Sequence, residues 1–181
     1  HTRYISVTGV QTCALPICKE FTNLEVKKDY NTGHLAELMM GLAVSAKFFN
    51  LGADVTVDQV VQMAQHADVG IPAGSKNYRV ALNKEIDYPE SGSKKDTLNF
   101  LAVVPAKSAE SFFKQLNSGQ WAPDLSAVFA SAVKYANESV GVANACQRVR
   151  QDKSNNQIDV ISDGTSDAKG TKADLTLKID G

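Results

Sequence analysis

The sequence predicts a mixed α/β (α+β) fold: a helix-rich single domain built around a small sheet. Three observations carry this. Eleven of the 15 residues in LAELMMGLAVSAKFF (35–49) are Ala, Val, Leu, Met or Phe, spread around the whole helical circumference, as in a helix buried on several sides. YRVALNKEIDY (78–88) and TLNFLAVVP (97–105) alternate with the period of strands. After a long helical middle, the tail turns strand-like again in IDVIS (158–162) and ADLTLKI (173–179).

KEFTNLEVKKDY (19–30) has no dominant period and suits a short helix or a strand equally. The apolar helix has Asn31 or Thr32 as its cap and Gly52 as its stop. DVTVDQVVQMAQHAD (54–68) reads as an amphipathic surface helix. Thr56 caps it, Asp58 favours its dipole, and Val57, Val60, Val61 and Ala64 form its inner stripe. VGIPAGSKN (69–77) is a loop punctuated by Pro72 and Gly74. The two alternating stretches, joined by PESGSKKD (89–96), are predicted to pair as an antiparallel hairpin. SAESFFKQLN (108–117) is a short helix ending near Gly119. A longer helix starts at Asp124 after Pro123, with Gly141 as a point of interruption. Its inner stripe contains Leu125, Val128, Phe129, Ala132, Ala136, Val140, Ala143 and Cys146. A loop rich in Gly, Ser and Asp separates the two tail strands, and no internal repeat is visible.

Composition narrows the functional classes. The chain has 181 residues, 43% hydrophobic and 22% charged, with a formal net charge of −1. That is ordinary for one globular domain with a real core. The balance does not announce a nucleic-acid binder, although phosphate contacts need only a local basic strip. No apolar run approaches the roughly 18–20 residues that cross a bilayer. Two of the three cysteines, Cys13 and Cys18, lie in the opening VTGVQTCALPIC (7–18). A lone pair at that spacing makes no tetrahedral zinc site, and Thr8, Gln11 and Thr12 interrupt any secretory signal. This stretch resembles a translated DNA-sequencing adapter, so residues 1–18 are set aside and residues 19–181 are treated as the domain. Cys146 is then the one remaining cysteine, which predicts a reducing, cytoplasmic setting. At the other end, Asp180-Gly181 is a favoured two-residue hairpin turn, which predicts a returning strand and hence a reading frame incomplete at its C-terminus.

Two features could carry chemistry. Glu37 is the only carboxylate of the apolar helix, and burying an ionised carboxylate is costly unless it is paired, terminal or functional. His34 lies one turn before it. Solvation in the first turn is the competing reading of Glu37. The tail offers Asp159, Asp163, Asp167 and Asp174 with Lys169, Lys172 and Lys178. Converging carboxylates with a lysine are what Mg2+-assisted phosphodiester hydrolysis needs: oxygen ligands for a hard cation and a positive charge for the scissile phosphate. Each of these acids taken singly is better explained as turn chemistry.

The order GHLAELMMGLAVSAKF, a helical middle, then GTKADLTLKIDG resembles the PD-(D/E)XK nuclease superfamily, with its restriction-endonuclease-like core. The resemblance covers residues 31–49 and 157–181. It implies a Mg2+-dependent DNA endonuclease in which Glu37 is the helix acid, Asp174 the strand acid and Lys172 a phosphate contact. The (D/E)-x-Lys strand would follow Gly181, so residues 1–181 alone are not expected to form a competent site. Two alternatives stay within the chain: Asp167-Ala168-Lys169 with Asp163 upstream, or Asp163 as the metal-binding strand acid with Lys178 supplying the lysine. Two non-catalytic readings compete. One is an α/β accessory or interaction protein. The other is a nucleic-acid-binding module using Lys76, Arg79, Lys84, Lys94 and Lys95.

Overall fold

The computed structural model describes residues 29–71, 73–163 and 175–181, and every structural statement below concerns these. Five helices and five strands are described: α1 (Thr32–Phe49), α2 (Val57–Gln65), β1 (Asp68–Gly70), β2 (Asn77–Asp87), β3 (Lys95–Pro105), α3 (Ala106–Ser118), α4 (Pro123–Glu138), α5 (Val140–Gln151), β4 (Gln157–Asp163) and β5 (Leu175–Asp180). They form a mixed α/β domain, as the sequence predicts.

The strands make one sheet in the order β1-β2-β3-β4-β5. β2 and β3 form the predicted antiparallel hairpin, with Leu82 opposite Phe100. β3 and β4 run parallel because the three helices between them return the chain to the same end of the sheet. β4 and β5 are antiparallel, with Val160 opposite Leu177. Even-numbered positions of β3 and β4 (Leu98, Phe100, Ala102, Ile158, Val160) are buried under the helices. The odd-numbered positions form the other face, where Asn83 donates to Asn99, Asn99 donates to Asp159 at 3.1 Å, and Ile161 is 36% exposed.

α1 is the central helix. Leu35, Leu38, Met39, Leu42, Ala43, Val44, Ala46 and Phe48 are all buried, so its apolar circumference meets the sheet on one side and α4 on the other. Asn31 caps it, accepting from the Gly33 N–H at 2.8 Å, and the turn after it ends at Gly52, φ 87°. At α2 the Thr56 and Gln59 side chains complete a capping box.

Three local expectations change. The loop at 69–77 contributes the short edge strand β1, whose residues are exposed and whose pairing with β2 no apolar alternation announces. The long helix breaks at Ser139 rather than at Gly141. Ser139 leaves the helix at ψ 118°, and its hydroxyl accepts from the Val142 N–H at 3.2 Å, capping α5. α4 starts at Pro123, one residue before the expected Asp124, with Ala122 as its N-cap.

Candidate functional site

The direction of α1 decides where Glu37 lies. At its C-terminal end, Arg150 donates to the Leu51 carbonyl at 3.3 Å and pairs with Glu90 at 2.9 Å, in the turn between β2 and β3. At its N-terminal end, the Asn31 N–H donates to the Ser108 hydroxyl at 3.1 Å, just past the end of β3. α1 is therefore antiparallel to β3 and β4. Midway, Gly41 lies against the Phe100 ring, close enough that a Cβ there would stand 2.4 Å from Cε1. Glu37 is one turn nearer the N-terminus, about 6 Å along the helix. That advance matches about two residues of strand, from Phe100 towards Ala102, which is opposite Ser162; Ser162 is in turn opposite Leu175. Glu37 thus projects towards the end of the sheet at which β5 begins.

At about 100° per residue, Gly41 is about 40° around the helix from Glu37 and His34 about 60° on the same side. The Gly41 direction marks the sheet-facing stripe, and both side chains flank it. Their burial agrees: Glu37 Oε2 and His34 Nδ1 are shielded from solvent, and His34 Nδ1 has no hydrogen-bond partner among the described residues. An orphaned buried polar atom costs about 1–3 kcal/mol, so it calls for a reason. The signal for His34 is legible in the sequence only as its spacing from Glu37.

Asp163 ends β4, its backbone opposite Val103. Asp174 and Lys172 lie outside the described residues, as do Asp167, Lys169, Cys13 and Cys18. Leu175, the chain neighbour of Asp174, opens β5. Lys178 stands opposite Asp159 in register and 3.7 Å from Asp180, with most of its side chain exposed. Among the described residues no three His, Cys, Asp or Glu side chains converge as a metal cluster. No described helix is long and apolar enough to cross a membrane.

Of the five basic residues named for the hairpin, two lie against acids. Lys94 is only 4% exposed and is consumed internally: its Nζ donates to the Ser154 carbonyl at 2.7 Å, lies 3.3 Å from Asp96 and sits over the Tyr88 ring. Lys95 faces Asp87 at 3.8 Å. Arg79 and Lys84 fall at odd and even positions of β2, hence on opposite faces of the sheet.

The buried cluster around Asp96 escaped the sequence reading because its members come from three separate stretches. Tyr88 donates to Asp96 at 2.5 Å, and the Asn156 N–H donates to it at 2.8 Å. Burial, then the hydrogen bond to Asp96, raises the Tyr88 pKa far above its ordinary value, so the phenol stays protonated. Burial also pushes the Cys146 thiol up to about 11, with Lys47 opposing, which leaves a neutral side chain unsuited to nucleophilic work.

No known protein family, curated protein or solved structure matches this chain.

Proposed function

We propose that this chain is the metal-binding part of a Mg2+-dependent DNA endonuclease of restriction-like type. Glu37 and Asp174 supply oxygen ligands, Asp163 is a further acid near the same sheet end, and Lys172 contacts phosphate. The observation that supports this reading most is the antiparallel run of α1 over β3 and β4, which brings a shielded helix carboxylate to the sheet end where β5 starts. Carboxylate oxygens suit a hard cation. Bound there, the cation would polarise the scissile phosphodiester and activate water. Glu37 holds and orients; its partly buried setting limits competing water around the oxygen it presents.

Metal and DNA binding read the proposal out. Calorimetric titration of the full chain with Mg2+ is expected to show one site, lost in Glu37→Gln and in Asp174→Asn. Labelled duplex DNA is expected to bind more tightly with Ca2+ present than without divalent ions. Absence of Mg2+ binding, or unchanged binding in both variants, overturns the reading.

A further inference from the structure

We draw no further inference here: the strongest candidate, the outer edge of β5 with its partly covered apolar row Leu175, Leu177 and Ile179, carries nothing because no described residue shows what pairs with that edge.

Discussion

The two ends of the sheet treat buried polar groups in opposite ways. Where β3 begins, Asp96 is 0% exposed and fully engaged, accepting from Tyr88 and the Asn156 N–H with Lys94 beside it. Lys94 in turn donates to the Ser154 carbonyl. Every group there finds its partner within the fold, and the cluster fastens the β2–β3 turn to the segment entering β4. Where β3 and β4 end, His34 Nδ1 is equally shielded but has no hydrogen-bond partner among the described residues, and Glu37 Oε2, one turn on along α1, is shielded too. The comparison separates architecture from candidate chemistry: a satisfied buried charge holds the fold, and an orphaned polar atom asks for a ligand.

The sharpest way to break the architectural end is Asp96→Ala. It leaves the Lys94 ammonium buried without its counter-charge, which costs about 3–5 kcal/mol; urea unfolding should show the loss as a lower midpoint. A loss below about 1 kcal/mol would mean that the cluster is not structural.

Tyr88→Phe should cost about 1.5–3 kcal/mol, the value of a hydrogen bond to a charged group. It also carries a pH signature. The folded phenol holds its proton well above its ordinary value of 10.0, so below about pH 10 this contribution is fully present. Above that, the unfolded phenol ionises first and stability falls as pH rises. Unfolding measured from pH 8 to pH 11 should show that fall in the natural chain and a shallower one in Tyr88→Phe; parallel slopes would refute the assignment.

Gly41→Ala probes the seam between the two ends. The added methyl meets the Phe100 ring, and such overpacking costs about 1–3 kcal/mol. A thermal midpoint equal to that of the natural chain would contradict the close approach of α1 to β3.

Smallest in stability is Glu37→Gln at the candidate site, expected within about 0.5 kcal/mol while Mg2+ binding disappears. A large destabilisation with metal binding intact would move Glu37 into the architectural class.

Local signals were strong where side-chain chemistry acts within a few residues. The cap at Thr56, the apolar circumference of 35–49 and the alternation of 97–105 each name their element, because capping and burial periodicity are short-range. β1 was not legible: a three-residue exposed strand owes its state to the backbone of β2 rather than to its own side chains. The break at Ser139 was misassigned to Gly141 because a hydroxyl cap and a flexible glycine lie two residues apart, and only the backbone geometry distinguishes them.

By itself, the sequence determined the fold class, the central helix, the β2–β3 hairpin and the choice of Glu37 as the acid to watch. Those follow from composition and period, which the chain carries locally. Tertiary structure alone decided which end of the sheet Glu37 reaches, that Lys94 is spent on Asp96, and that His34 shares the sheet-facing stripe. The first depends on the direction in which α1 crosses the strands. That direction is set by contacts such as Asn31 with Ser108 and Arg150 with Leu51 and Glu90, which join residues about 60 to 100 positions apart.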